Sequence, residues 1–153
     1  MFPQLNIPQA ELRITKRSEQ YLIWDVWRKK QVVLTPEEWV RQNLLHYLIN
    51  HLNYPLGVIA VEMQIIVNAL KRRCDAVVFD ENGKPLMIIE CKEPDVALSP
   101  QVMQQIAQYN FQLNTEWLLI SNGLEHITLR VNRGSGTIQQ IPDIPSFDII
   151  SGL

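Results

Sequence analysis

The pattern of apolar and polar residues divides the chain into segments with a helical period and segments with a period of two or an unbroken apolar run. Two segments begin with helix-start signals. Thr35, Pro36 and Glu38 supply a cap, a proline at the first helical position and a capping-box acid, and predict a helix over 35–52. Ser99-Pro100 predicts a second helix that ends near residue 113.

Five further stretches predict strands, over 58–67, 73–80, 85–92, 117–121 and 125–132. Asn82-Gly83, between the second and third strands, is a strong hairpin signal. The alternation in 125–132 is typical of a half-exposed strand near a sheet edge. Upstream, the apolar segment 21–34 surrounds a basic group, Arg28-Lys29-Lys30, and predicts a strand pair or an extended arm. Helix, three strands, helix and two strands together predict an α/β sandwich with a mixed central β-sheet.

Length and composition indicate one folded domain over residues 1–153: an N-terminal arm or strands at 1–34, a core at 35–131 and a C-terminal tail at 132–153. Apolar residues make up 46% of the chain and charged residues 20%, with a net charge of −2, which excludes the profile of disorder and that of a basic tail. The sequence shows no membrane span and no signal peptide, so we expect a cytoplasmic protein without a membrane partner. Two cysteines and three scattered histidines make a structural zinc or iron–sulfur site improbable.

The predicted register of the hairpin places two acids opposite each other. If Asn82-Gly83 form the turn, paired positions sum to 165, so Asp75 faces Glu90 as Val77 faces Ile88. Two carboxylates roughly 4.5 to 5.5 Å apart at Cβ destabilise a sheet unless positive charge lies between them. Oxygen ligands completed by water suit Mg²⁺ or Mn²⁺. Lys92, two residues beyond Glu90 on the same side, could hold or help deprotonate a water there. The alternative is ordinary strand-end charges that pair with nearby lysines or arginines.

The first helix adds a third acid to this hypothesis. At 100° per residue, Glu37 falls in the middle of the apolar stripe and is predicted to point inward, whereas Glu38 is assigned to the cap. The alternative role for Glu37 is to complement the helix dipole in the first turn.

The second helix and the basic triplet supply candidate binding residues. Gln105 and Tyr109, spaced i and i+4, line one flank of the helix's apolar stripe, although both could be ordinary surface or half-buried residues. The triplet consists of Lys71, Arg72 and Arg73 and is either a source of sequence-independent attraction for phosphates or a solvated turn. One shared site explains these positions better than separate coincidences.

The ordered set resembles the PD-(D/E)xK nuclease superfamily: Glu37, Asp75, Glu90-Cys91-Lys92 as Glu-x-Lys, and Gln105 to Tyr109 as Gln-x-x-x-Tyr. Within it, the chain is most similar to the N-terminal nuclease domain of the restriction subunit of type I restriction enzymes. The likeness covers roughly residues 30 to 131 and includes the stretch 35–42, where Arg41 lies four after Glu37, and Ser121-Asn122-Gly123.

The resemblance implies a restriction-endonuclease-like fold with an αβββαβ core and Mg²⁺- or Mn²⁺-dependent cleavage of DNA. It also implies that the backbone carbonyl of Cys91 serves as a metal ligand beside Asp75 and Glu90. Two departures stand out. Cys74 replaces the family's proline before the aspartate, and no phosphate-binding Gly-x-x-x-x-Gly-Lys-Ser/Thr loop is present. We therefore expect a nuclease module without a nucleotide cofactor, alone or with a partner subunit or a second copy of itself.

Two rival hypotheses remain. The same sandwich could be an inactive DNA- or protein-binding adaptor, which the net charge of −2 favours slightly over a free-standing nuclease. A redox function of Cys74 and Cys91, whose numbers also sum to 165, is the weaker rival because no Cys-x-x-Cys is present.

Overall fold

The computed structural model describes residues 2–67 and 69–152, apart from the side chains of Ile65, Val67, Arg72 and residues 108–112. The described residues form two β-sheets and three α-helices. In order, the elements are β1 Ile14–Arg17, β2 Gln20–Asp25, β3 Lys30–Val33, α1 Pro36–His51, β4 Ile59–Val67, β5 Leu70–Phe79, β6 Pro85–Cys91, α2 Pro100–Leu113, β7 Trp117–Ser121, β8 His126–Asn132, β9 Thr137–Ile141 and α3 Phe147–Ser151. A short 3₁₀ turn, Leu56–Val58, precedes β4.

The larger sheet has six strands in the order β4-β5-β6-β7-β8-β9. Its β6–β7 pair is parallel and the others are antiparallel, because α2 carries the chain from the end of β6 back to the start of β7. The observed architecture confirms the predicted α/β sandwich with a mixed central sheet.

The smaller sheet contains β1, β2 and β3, all antiparallel. The strand pair predicted in 21–34 is confirmed as β2 and β3, and β1 is an addition that the sequence pattern did not reveal. This sheet packs on α1: Ile23 of β2 and Leu34 belong to the same buried cluster as Val40 and Leu44 of the helix.

Helix α1 follows its sequence signals at both ends. Thr35 caps it by accepting a hydrogen bond from the Glu38 N–H at 3.1 Å, and the helix ends at His51, close to the predicted residue 52. Burial extends beyond the predicted apolar stripe, however, and includes Arg41, Gln42 and Asn43. Polar positions of α1 are enclosed because the N-terminal segment and the turn between β2 and β3 also contact the helix: the Ala10 N–H donates to Asn43 Oδ1, and Arg28 donates to Glu38.

Two apolar clusters cover the two faces of the large sheet. One contains Val78, Met87 and Ile89 with residues of α1, the small sheet and α3. The other contains Val77, Ile88 and Leu118 with Ile106 of α2. The β5–β6 hairpin is therefore central and covered on both faces, as its two apolar faces predicted.

The register of this hairpin follows the predicted sum of 165 from Ala76 opposite Ile89 to Val78 opposite Met87. Nearer the turn the prediction is wrong, because a shift between Val78 and Phe79 places Phe79 opposite Pro85 rather than Leu86. The turn is built on Asp80, whose Oδ1 accepts the N–H of Asn82 and of Lys84 at 2.8 Å each.

The C-terminal region 132–153, predicted as a tail, contains β9 and α3. Strand β9 pairs with β8, so β9 is the edge strand and β8 lies next to it, which confirms the prediction that 125–132 is near a sheet edge. Helix α3 returns to the core, where Ile150 is buried and the Phe147 N–H donates to the Leu52 carbonyl at 2.9 Å. No helix in the described part of the chain is long and apolar enough to cross a membrane.

Gly123, in the turn after β7, offers a test of this packing. Its φ is +87°, and a Cβ there would lie 2.6 Å from Leu5 Cδ2 and 3.2 Å from Val40 Cγ2. Gly83 has a similar φ of +81° but open space around it. We expect Gly83→Ala to cost roughly 1 to 2 kcal/mol, the cost of left-handed backbone, and Gly123→Ala to cost clearly more in chemical denaturation. Equal losses would contradict the close packing at Gly123.

Candidate active site

Asp75 and Glu90 lie together at the end of the central hairpin. Both are buried, with 7% and 6% of their surface exposed. Asp75 Oδ1 accepts from Arg41 Nη1 at 3.1 Å, and Asp75 Oδ2 accepts from the backbone N–H of Cys91 at 2.7 Å. The Asp75 side chain thus binds β6 where the described backbone pairing of β5 with β6 has ended at Ala76.

The backbone of the neighbouring strand β4 is irregular opposite Asp75. Glu62, between the paired residues Val61 and Met63 of β4, has a φ of +52°, a conformation that costs energy in a non-glycine residue. Cys74 packs in the same cluster as Val77, although strict alternation would put these two side chains on opposite faces. The alternation therefore breaks at Asp75, which turns its carboxylate toward Arg41 of α1. Sequence analysis assumed unbroken alternation through this point.

Glu90 has an unused oxygen. Its Oε1 lies 3.7 Å from Lys92 Nζ, whereas its Oε2 is buried and has no hydrogen-bond partner among the described residues. Burial, and then repulsion from Asp75, raises the pKa of Glu90 to about 8, with Lys92 acting in the opposite direction. Burial also raises the pKa of Asp75, to about 6, against the Cys91 N–H and Arg41, which lower it. The pair lacks sufficient positive charge to hold both carboxylates ionised.

These residues fit a hard divalent cation in part. The orphaned Glu90 oxygen and the raised pKa of both acids are what a site that is short of one cation would show. Among the described side chains, however, no three histidine, cysteine, aspartate or glutamate residues converge as a ready metal site. A metal at this pair would therefore need water or backbone oxygens for the rest of its coordination, as Mg²⁺ commonly does.

The buried acid of α1 is Glu38, so the prediction that Glu37 falls in the middle of the buried stripe is wrong. Glu37 is exposed, yet its carboxylate is close enough to raise the pKa of both Asp75 and Glu90. Glu38 is only 4% exposed. Its backbone N–H donates to the Thr35 cap, whereas its carboxylate accepts hydrogen bonds from Arg41, Arg28 and Gln42, which lie inside the protein.

Sequence analysis missed the network that surrounds Glu38. Arg28 Nη2 lies 2.7 Å from Glu38 Oε1, and Arg41 Nε lies 3.1 Å from Glu38 Oε2. Arg28 also pairs with the fully buried Asp25, and both arginines approach Glu62 Oε1, at 3.2 Å and 3.4 Å. Asp25, Arg28, Glu38, Arg41 and Glu62 together are called the arginine–carboxylate network below. The basic residue Arg28 inside an apolar segment was the available signal.

The network keeps Glu38 and Arg41 charged. Burial alone would raise the pKa of Glu38, but hydrogen bonds and charge from Arg41, followed by Arg28 and Gln42, lower it below the usual range. Burial would likewise lower the pKa of Arg41, which Glu38 and Asp75 raise instead. Arg41 therefore presents a permanent positive charge to Asp75.

The candidate binding residues are placed less completely. Gln105 lies on α2 with its side chain exposed, and the side chain of Tyr109 lies outside the described residues. The triplet 71–73 lies in β5, so the prediction of a solvated turn is wrong. Lys71 is exposed, Arg73 is 65% exposed and lies 3.6 Å from Glu62, and the side chain of Arg72 lies outside the described residues.

Both cysteines are buried and free, and they pack in different apolar clusters, Cys74 on the α2 side and Cys91 on the α1 side. Burial raises the pKa of the Cys74 thiol to about 12 and that of Cys91 well above its ordinary value. Protonated, separated thiols argue against the redox hypothesis.

The fold is an α/β sandwich, a mixed sheet between helices, with two neighbouring buried acids and a lysine at the end of its central strands. Residues 36–145 match the family described as the type I restriction enzyme R protein N terminus (HSDR_N), and the chain belongs to this family.

Two solved structures are similar to the chain. A fragment of a proposed HsdR subunit of a type I restriction enzyme from Vibrio vulnificus YJ016 is 17% identical with a TM-score of 0.57, over 78% of this chain and 25% of that one. A proposed nuclease of the DUF820 family from Anabaena variabilis ATCC 29413 is 16% identical with a TM-score of 0.49, over 91% of this chain and 88% of that one. The chain thus spans about a quarter of the length of the HsdR fragment. Among curated proteins, none matches the sequence.

The raised pKa of Glu90 predicts an unusual pH dependence of stability. Because the folded-state value of about 8 lies above the ordinary 4.5, the folded protein binds this proton more tightly than the unfolded chain does. The stabilisation is complete below the ordinary value and is lost as the pH rises through about 8. We expect the unfolding midpoint of protein in chelator to fall over this range.

Glu90→Gln should flatten that pH dependence, because a neutral amide has no proton to lose. The matched control is Glu81→Gln in the exposed turn of the same hairpin, which should leave the profile unchanged. A wild-type midpoint that rises steadily from the ordinary carboxyl range to pH 8 would show that Glu90 ionises normally.

Proposed function

We propose that this protein is a Mg²⁺- or Mn²⁺-dependent nuclease that hydrolyses phosphodiester bonds in DNA. The observation that carries the proposal is the buried pair Asp75 and Glu90, one of whose oxygens has no partner among the described residues, beside the ammonium group of Lys92. Membership in the type I restriction R protein N-terminal family supports the choice of DNA as substrate.

Asp75 and Glu90 would hold the ion, with the backbone carbonyl of Cys91 as a further ligand. When bound, the ion supplies a Lewis acid that stabilises charge on the phosphate and lowers the pKa of water. It would also relieve the repulsion that raises the pKa of both carboxylates.

Lys92 is proposed to orient the attacking water and to move its proton. Its Nζ lies on the Glu90 side of the pair and its side chain is 24% exposed, so it can contact both the site and solvent. Glu37, exposed and close to both acids, would support a second ion or a water on the outer side.

DNA would be held by groups around the mouth of the site. Gln105 and Tyr109 of α2 are proposed to position the phosphate backbone, and Lys71, Arg72 and Arg73 to attract it without regard to sequence. Because the chain matches only the N-terminal region of R proteins, a partner subunit or a second copy could complete the enzyme.

A second candidate function is a DNA- or protein-binding adaptor with an inactive pocket. Two observations favour it: the net charge is −2, and both oxygens of Asp75 already accept hydrogen bonds, from Arg41 and Cys91. Titration with Mn²⁺ separates the two functions. A nuclease should bind Mn²⁺ in the millimolar range and lose this site in Asp75→Asn, whereas an adaptor should show no such site.

Cleavage tests the nuclease proposal directly. Purified protein with Mg²⁺ or Mn²⁺ should nick supercoiled plasmid, and Lys92→Ala should slow nicking by about 10² to 10⁴, the usual contribution of a proton-transferring group. Asp75→Asn should slow it at least as much, because it removes one of two charged ligands. The control is Lys84→Ala, an exposed lysine at the far end of the same hairpin. Equal nicking by all four proteins would point to a contaminating nuclease.

The salt dependence of DNA binding tests the role of the basic strand. Lys71→Gln should weaken binding equally for all DNA sequences and reduce the slope of log K against log salt by about 1, the amount expected for one phosphate contact. Binding would be measured by fluorescence anisotropy in Ca²⁺, with Lys84→Gln as a charge-matched control. An unchanged slope for Lys71→Gln would remove this residue from the DNA interface.

A further inference from the structure

Arg28 lies in the turn between β2 and β3, outside the region 36–145 that matches the family. The turn is fixed by Asp25, whose Oδ1 accepts the N–H of Trp27 at 2.7 Å and the N–H of Arg28 at 3.1 Å. These bonds make an Asx-type turn that directs the Arg28 side chain into the protein. The guanidinium then joins three elements, because it pairs with Asp25 of β2, Glu38 of α1 and Glu62 of β4.

Arg28 and Arg41 share two carboxylates. Glu38 Oε1 accepts from Nη2 of both arginines, and Glu62 Oε1 lies 3.2 Å from Arg28 and 3.4 Å from Arg41. The two arginines face four acids, the fourth being Asp75, which Arg41 binds with Nη1 at 3.1 Å. Without Arg28, Arg41 would be the only buried cation among the described side chains for Glu38, Glu62 and Asp75, since Arg73 approaches Glu62 from the exposed side.

We infer that Arg28 is a positioning residue of the active site, which acts through Glu38 and Arg41 to fix the carboxylate of Asp75. Its ion pairs are with Asp25, Glu38 and Glu62, so it influences the proposed metal ligands through other side chains. The N-terminal sheet is thus part of the catalytic centre and not an attached arm. The consequence for metal affinity and catalysis rests on the proposed function; the effect on Asp75 does not.

The position of Asp75 can be read without metal or activity. The Cys91 N–H donates to Asp75 Oδ2 at 2.7 Å, so its amide resonance reports where that carboxylate lies. In metal-free protein, Arg28→Gln should shift the Cys91 amide resonance in ¹H–¹⁵N spectra. Lys30→Gln is the matched control: it removes the same charge from an exposed position at the start of β3 and should leave the resonance in place.

The affinity for Mn²⁺, measured by electron paramagnetic resonance, is the second readout. Arg28→Gln should weaken binding by about 10- to 100-fold, the usual loss when a residue that orients a ligand is removed. It should lower the kcat of plasmid nicking by a similar factor with little change in KM for DNA. Arg28→Lys keeps the charge but not the fork that spans Asp25 and Glu38, so it should restore these properties only in part.

Each outcome has one meaning. An unshifted Cys91 amide in Arg28→Gln, or Mn²⁺ binding that becomes tighter, would overturn the inference, since tighter binding would mean that Arg28 acts only as a charge that repels the ion. If Arg28→Gln does not fold, Arg28→Lys decides by the same two readouts. If the wild-type protein binds no Mn²⁺ and cuts no DNA, the proposed function fails, and the Cys91 resonance still decides whether Arg28 positions Asp75.

Discussion

The pairing of two arginines, Arg41 buried and Arg28 half-buried, with a larger number of acids constrains the rest of this structure. Asp25, Glu38 and Arg41 have left water, which costs several kcal/mol per ion. The cost is offset only because Arg28 and Arg41 supply forked donors to acids from β2, α1 and β4 at once. Removal of one member would leave another buried and unpaired. The network therefore fixes how the small sheet, α1 and the large sheet meet.

Asp75 and Glu90 differ from the network in their electrostatic state. Glu38 has donors on both oxygens, and its pKa is lowered despite burial. Glu90 has Lys92 on one oxygen and no described partner for the other, and its pKa is raised. The chain thus supplies enough positive charge to the acid at the centre of the network, Glu38, but too little to the pair Asp75 and Glu90. Buried acids with too little positive charge beside them, and strained backbone such as that of Glu62, are both features that cluster at functional sites.

Sequence reasoning succeeded where local rules decide the structure. Caps and periodicity located α1, α2 and most strands of the large sheet, and the sum rule gave the register of the central hairpin where β5 and β6 are regularly paired. It failed where a partner distant in sequence decides. Helical spacing put Glu37 inside, but the buried acid is Glu38, because Arg28 arrives from the small sheet. Likewise, alternation ended at Asp75 because Arg41 and the Cys91 N–H hold its carboxylate.

The same reasoning explains why α1 is polar in its middle. A helix that covers one face of a sheet can expose a polar face to water, but the middle of α1 is also contacted by the N-terminal segment and by the turn that carries Arg28, since Asn43 bonds Ala10 and Glu38 bonds Arg28. Asn43 accepts the Ala10 N–H and donates to the Trp39 carbonyl, Arg41 is paired, and Gln42 donates to Glu38, although Gln42 Oε1 has no partner among the described residues. Enclosure also keeps water away from the contact between Arg41 and Asp75, where a lower local dielectric strengthens the interaction. The small sheet therefore contributes to the candidate site through the contacts of Arg28, which lies in the turn between two of its strands.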